Sequence, residues 1–424
     1  MPHRHLPVCP DLRQLKHQAK DLLRSIHAGA TDAVEELREF HPDPIDPPSA
    51  KLADAQLVLA RSYYASSWTR LVQAVELVKA IWKNDIRTVR KLVTDNPRLI
   101  HEDALIRKNS NWGPPMTYAA NLGHDEIIRM LDRMGATDHQ SALGRATLQS
   151  QIGTARMLHE MLGSPKPPDG ALGGPAYTLS VGGTAVIFEF GDVRMYDDDG
   201  TLLAPVETVL QTDARNPEAK HAILEMYVKH GVRLPETPPF ALHRGRIDLL
   251  EEHLHRDPQM LSRTWSHRDI YPEELLCGLP GNATVGTPLG GTTLLHMCVE
   301  YDEMEIARWL IAQGADVNAR SRVGASGFGG YTPLFNTVVS QPNFWMNYQK
   351  RGPFVAPFAQ LLLDHGANPN ARASIWKSLH EGHGDTTRHD YRNVTPLSFG
   401  RRFHAPIFVS EPAMGLIEAA GGVE

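Results

Sequence analysis

The sequence predicts an all-α protein, a helical solenoid in which a small helix-turn-helix unit recurs and each copy packs on the next. Three observations carry that expectation. A Thr-Pro-Leu opening stands at Thr332-Pro333-Leu334 and Thr395-Pro396-Leu397, and with leucine in the middle at Thr293-Leu294-Leu295. A glycine closes the second helix of a unit at Gly314 and Gly366. Between opening and closure, apolar residues such as Ile306 and Leu310 return at helical spacing. The chemistry suits the pattern. Threonine caps the first turn, proline at the next position has no amide to lose, and glycine takes the left-handed residue that ends a helix.

The clearest unit is Gly291–Ala319, GTTLLHMCVEYDEMEIARWLIAQGADVNA. Thr293, Leu295, His296, Ile306, Leu310, Gly314, Ala315, Asp316, Val317 and Asn318 all match the ankyrin repeat, which the segment resembles. Leu294 replaces the usual proline, and Asp302-Glu303 replaces Gly-His. The resemblance implies paired helices, projecting finger loops, and a histidine at position 296 that ties one repeat to the next. Strong repeats are expected near 112–137, 291–320, 330–372 and 393–422. Degenerate repeats are expected between 138 and 262, among them a short helix, a Gly-Gly turn and a second helix over 173–190. A β insertion over 177–196 is the alternative there, because Val186, Ile187, Phe188 and Phe190 favour strands. One unit cannot bury its own apolar face, so stability must come from stacking.

Residues 1–75 differ. Asp11 and Gln14 suit a capping box, and Leu12, Leu15, Ala19, Leu22 and Ile26 recur at helical spacing before Gly29. Helices are expected about 50–64 and 67–80, after a proline-rich loop. The strings DLRQLKHQAKDLLRSIHAG and LADAQLVLARSYYASSWTRLVQAVE resemble a helical module that precedes ankyrin repeats in bacterial proteins. The domain expectation is therefore a helical cap module over 1–75 and a repeat array over 76–424.

Composition narrows the function. With 42% hydrophobic and 22% charged residues the chain is a folding one. A net charge of -6 gives no general attraction to nucleic acid. Three widely spaced cysteines argue against a disulfide framework, no apolar run reaches membrane-spanning length, and the N-terminus lacks a signal-peptide core. A cytoplasmic location with no membrane and no nucleic-acid partner is expected.

The function itself is expected in the loops. The stretches 262–292, 319–331 and 371–394 exceed a tight inter-repeat connection, and long loops in compact proteins carry function or are disordered. Their aromatic, histidine and arginine content favours an ordered recognition surface. Trp265, His267, Tyr271, Phe328, Trp376, His389, Tyr391, Arg401 and His404 are the candidate binding residues. The leading expectation is a scaffold that binds a protein partner through its concave face and these fingers, without a cofactor or metal. The alternative is an enzyme whose pocket the three loops wall, with His267, Asp269, His389, Asp390 and His404 as its titratable groups; a small ligand at the loops is compatible with either. His380-Glu381-Gly382-His383 lacks the i, i+4 histidine spacing of a zinc-protease helix. A looser metal set of His380, His383, Asp385, His389 and Asp390 stays open, against a solvated polar loop. The insertion 341–356 reads as an apolar lid or as a second partner site.

Overall fold

A computed structural model describes residues 4–106, 112–212, 214–278, 287–339, 355–379 and 386–424. Among them are 22 α-helices and one two-stranded sheet. The insertion 341–354 and the loop residues His380, His383 and Asp385 lie outside the described residues. No helix among the described residues is long and apolar enough to cross a membrane. The chain divides into two compact units, one comprising residues up to Pro167 with Val186–Gly191, the other Pro168–Ala185 with Asp192–Glu424.

The first unit starts with Leu12–His27, whose N-terminus Asp11 caps by accepting from the Gln14 N–H at 2.9 Å. Leu15, Ala19, Leu22 and Ile26 form its buried stripe, and left-handed Gly29 follows it. Thr31–Phe40, Leu52–Ser62 and Trp68–Trp82 come next. Arg4 pairs with Glu36 at 2.9 Å across this group. A break follows at Asn84-Asp85: Asn84 is left-handed, and Asp85 caps Ile86–Asp95 by accepting from the Thr88 N–H. Because Trp68–Trp82 is one helix, the expected division at residues 75/76 falls inside an element. The pairs Pro115–Leu122 with Asp125–Arg133, and His139–Leu148 with Ile152–Met161, complete the unit. Asp138 joins these two pairs by accepting from the Thr117 N–H at 2.9 Å.

In the second unit the break between Gly173–Thr178 and Val181–Phe190 falls at left-handed Leu179 and at Ser180. It does not fall at Gly182-Gly183, because the Ser180 hydroxyl accepts from the Gly183 N–H at 3.0 Å and starts the second helix there. The β alternative for this stretch is likewise replaced by helix, with an isolated bridge only at Tyr196–Leu202. Helix pairs follow at Val206–Gln211 with Pro217–Lys229 and Pro238–His243 with Ile247–Arg256. Three more pairs are Leu294–Tyr301 with Met304–Ala312, Pro333–Val338 with Pro357–Asp364, and Pro396–Arg402 with Glu411–Ala419.

Two asparagines tie these last three pairs together. Asn318 donates to the Gly366 carbonyl at 2.9 Å and accepts from the Asn368 N–H at 2.7 Å. One pair further on, Asn370 donates to the Gly421 carbonyl at 2.9 Å and accepts from the Val423 N–H at 2.7 Å. Each asparagine is itself held by the residue two before it: Asp316 accepts from the Asn318 N–H and Asn368 from the Asn370 N–H. His296, fully buried, works from inside. Its Nδ1 meets the Thr293 hydroxyl at 2.9 Å and its Nε2 donates to the Tyr331 carbonyl at 3.1 Å, as the resemblance implied.

Two expectations are corrected. The Thr332 hydroxyl makes no capping bond, because the Phe335 N–H donates to the Thr332 carbonyl instead. The stretch 371–394 is not simply a loop. It holds strand β1, Ala373–Lys377, antiparallel to β2, His389–Val394, in the register Ile375↔Tyr391 and Lys377↔His389. β-Branched and aromatic residues (Ile375, Trp376, Tyr391, Val394) explain the strands. Gly329 pairs with Ser374, so the 319–331 loop joins the hairpin edge.

Asn318→Ala removes two hydrogen bonds between successive helix pairs at once. At about 1 kcal/mol each, the variant is expected to lose about 2 kcal/mol in urea unfolding followed by circular dichroism; an unchanged midpoint would refute the clamp. Burial holds the His296 imidazole down to about 4, so it stays neutral in the folded protein. Its unfolded counterpart takes a proton below about 6.5, so stability should fall as pH drops from about 6.5 to 4. His296→Gln should flatten that part of the melting-temperature profile; an equally steep profile would contradict the assignment.

Candidate functional site

The three enlarged connections converge. Ser266 caps the short helix His267–Ile270, its hydroxyl accepting from the Asp269 N–H while the Asp269 carboxylate accepts from the Ser266 N–H at 2.7 Å. That turn presents His267 and Tyr271 to a cavity of about 160 Å³. Pro288, Leu289 and Gly290 line it from the same connection, Arg322, Phe328, Gly329 and Tyr331 from the next, and Ser374–Lys377 from β1. Gly329 is required here: it is left-handed at φ +128°, and a Cβ would lie 2.1 Å from the Arg322 carbonyl oxygen. Its N–H donates to the Ser374 carbonyl at 2.7 Å, so two of the walls are bonded to each other.

Lys377 stands out in the lining. Its side chain is 1% exposed, and burial lowers the ammonium to about 8 against the opposing pull of the Glu300 carboxylate. Glu300 is also buried and pairs with Arg215 at 3.0 Å. A neighbouring helix end adds a second buried pair, Lys220 with Glu303 at 2.8 Å, and His221 reaches the same carboxylate oxygen at 2.7 Å. Burial pushes the Glu303 carboxyl up, but Lys220 and His221 outweigh it and hold it below the usual range. Tyr271, in the cavity wall, bonds the Tyr301 hydroxyl, which donates to the Leu210 carbonyl. Burial raises both phenols, so they stay protonated.

Of the residues singled out from sequence, His267, Tyr271, Phe328 and Trp376 meet at this cavity. His267 Nε2 donates to the Gly278 carbonyl, 2.9 Å away, and burial lowers its imidazole below the ordinary value. Trp265 does not line it. That side chain is 7% exposed, beneath the Arg263 guanidinium, and its backbone N–H donates to the Thr292 carbonyl at 2.8 Å. His389, Tyr391 and His404 form a second cluster. The two imidazoles stack 3.9 Å apart, and the buried Tyr391 hydroxyl donates to His404 Nδ1 at 2.6 Å while accepting from the His404 N–H. Arg401 is exposed and pairs with Glu418 and Glu424 at the C-terminus. Asp390 pairs with Arg388 and Arg392, and Asp269 is occupied as a cap. The five titratable groups proposed for an enzyme are thus divided, with only His267 in the cavity. No group of three or more metal-binding side chains assembles among the described residues.

Lys377, Arg322 and Tyr331 are the site residues that sequence reasoning missed. Lys377 was legible in principle. Ala373, Ile375 and Lys377 are the buried alternation of one strand, so a lysine in phase with Ala and Ile is a charge turned inward. The loop reading of 371–394 concealed that phase.

The described fold is thus mostly helical, with one hairpin, and its best-formed unit has a Thr-capped first helix, a tethering histidine and a Gly-closed second helix. The family model of the ankyrin repeat matches this unit, at residues 290–322. The chain therefore contains an ankyrin repeat, a module that points in general to protein binding. No curated protein is significantly similar to the chain.

Because Trp265 and Tyr391 are buried, they are supports for the loops. Trp265→Ala is expected to cost roughly 3 kcal/mol, as deletion of a buried indole does, measured by thermal or urea unfolding. A melting temperature within a degree of wild type would show that the ring is dispensable to the fold.

Proposed function

We propose that the chain is an ankyrin-type repeat protein that binds another protein, and that an acidic segment of the partner lies along the edge formed by 319–331 and 371–394. In this reading the helix pairs of 76–424 form one array, the helices of 1–75 cap its open end, and the loops extend the concave face. The observation that carries it is the charge of this edge. Arg320, Arg322, Arg372, Arg388 and Arg392 are exposed there, against the single carboxylate of Asp390 among the described residues of the two loops.

The arginines are arranged as well as abundant. Arg388 lies over the rings of both Phe328 and Trp376, at 5.0 and 4.9 Å, and Arg392 over Phe328 at 4.3 Å. Stacking on aromatic faces holds guanidinium groups in place while leaving their N–H donors outward. Arg320 donates to the Gly330 and Arg372 carbonyls, which fixes the two loops to each other. A preformed basic edge on a protein of net charge -6 concentrates attraction at one place. Such an edge supports selection and steering of an acidic partner segment, and arginine is a frequent hot-spot residue.

The test is affinity capture by the full chain from a lysate of its own host, wild type beside Arg372→Glu/Arg388→Glu/Arg392→Glu, with cross-links mapped by mass spectrometry. Proteins that cross-link to 319–331 or 371–394 through acidic segments should fall at least tenfold with the variant. Equal capture by both chains, or cross-links confined to other regions, would refute the proposal.

A further inference from the structure

Beyond partner binding, we propose that the cavity walled by His267–Tyr271, Pro288–Gly290, Arg322–Tyr331 and β1 is a binding site for a small single-ring carboxylate, its ring between aromatic walls and its carboxylate on Lys377 and Arg322. Three properties of the cavity lead to this class of ligand.

The first is size. The volume of about 160 Å³ is close to the roughly 150 Å³ of an apolar cavity that admits benzene. One six-membered ring matches that volume. The second is the wall. Phe328, Trp376, Tyr271, Tyr331 and His267 all line it. Flat faces around a benzene-sized space suit a flat occupant. The third is charge. The described lining contains two cations, Lys377 and Arg322, and no carboxylate. A lysine that is 1% exposed yet borders a cavity is a charge with little water of its own, offset in part by the Glu300 carboxylate. An anion entering the cavity would meet it in a poorly solvated setting, where an ion pair is strong. The planar Arg322 guanidinium matches a planar carboxylate, which it can hold with two parallel bonds.

The wall is also built to keep its shape. Gly329 cannot carry a side chain against the Arg322 backbone, and it is bonded in both directions to Ser374, the strand residue three before Lys377. The Tyr331 hydroxyl donates to the Pro288 carbonyl, joining the Arg322–Tyr331 wall to Pro288–Gly290. These bonds place the two cations on one frame before any ligand arrives, which lowers the ordering cost of binding.

Binding should follow the protonation of Lys377. Its ammonium is pushed down to about 8, so the cationic form dominates at pH 7 and is largely lost by pH 9.5. Affinity for a carboxylate should therefore be full below about pH 8 and decline above it.

Isothermal titration of the full chain with benzoate, with its neutral counterpart benzamide and with 2-naphthoate tests the proposal. Benzoate should bind at pH 7 at least tenfold more tightly than benzamide or 2-naphthoate, and should weaken at least fivefold at pH 9.5. Lys377→Met and Arg322→Gln should each cost at least tenfold. The second variant alters an exposed side chain, so it stays informative if the first fails to fold. No heat with benzoate, equal binding of benzamide, or unchanged affinity in Arg322→Gln would overturn the assignment. Because Arg372 neither lines the cavity nor stacks on its walls, unchanged benzoate binding by Arg372→Glu separates this site from the partner edge.

Discussion

Asn318 and Asn370 impose the constraint on which the second compact unit depends. Each bonds a carbonyl and an N–H that follow the next helix pair, so it fixes both distance and orientation. Helix pairs as short as Pro333–Val338 with Pro357–Asp364 have little intrinsic stability. Their apolar faces are buried only because neighbours are held in register. His296 repeats the arrangement inside, where its imidazole spans from its own Thr293 to the Tyr331 carbonyl of the next unit. Neutral imidazole is the form this bridge requires, since Nδ1 must accept while Nε2 donates.

The site follows from that register. Once consecutive units are fixed, their connections emerge side by side, and residues far apart in sequence become neighbours. Gly329 meets Ser374 and Tyr331 meets Pro288. The buried polar groups Arg215, Lys220, Glu300, Glu303 and Lys377 belong to the same part of the chain. Ion pairs of this kind contribute little net stability compared with apolar packing, but removing one partner alone is costly. Their presence near a cavity is what a stack of helices alone would not call for.

Much of the fold was legible because its signals are local. Thr293, Thr332 and Thr395 start helices where the Thr-Pro-Leu pattern puts them, and Gly314, Gly366 and Gly421 take the left-handed conformation after the second helices. The turn at Leu179-Ser180 was misplaced, since two adjacent glycines outweighed a capping serine in the reading. The hairpin was hidden by charge. Asp390 and Arg392 put charge into β2, with Arg388 just before it, while Tyr391 and Val394 are its buried residues. Of the site, the loops and four of its aromatic and histidine residues could be named. Burial could not, because Trp265 and Tyr391 are of residue types frequent at binding surfaces but are buried. Nor could the cavity cations, which are brought together by long-range contacts.

If the asparagine and histidine bridges lock neighbouring helix pairs into one cooperative block, native-state hydrogen exchange should reveal it. Amides in Leu294–Tyr301, Pro333–Val338 and Pro396–Arg402 should open with a common free energy and merge into one unfolding step as denaturant rises. Three separate opening energies, each insensitive to the others' neighbours, would contradict this account of the structure.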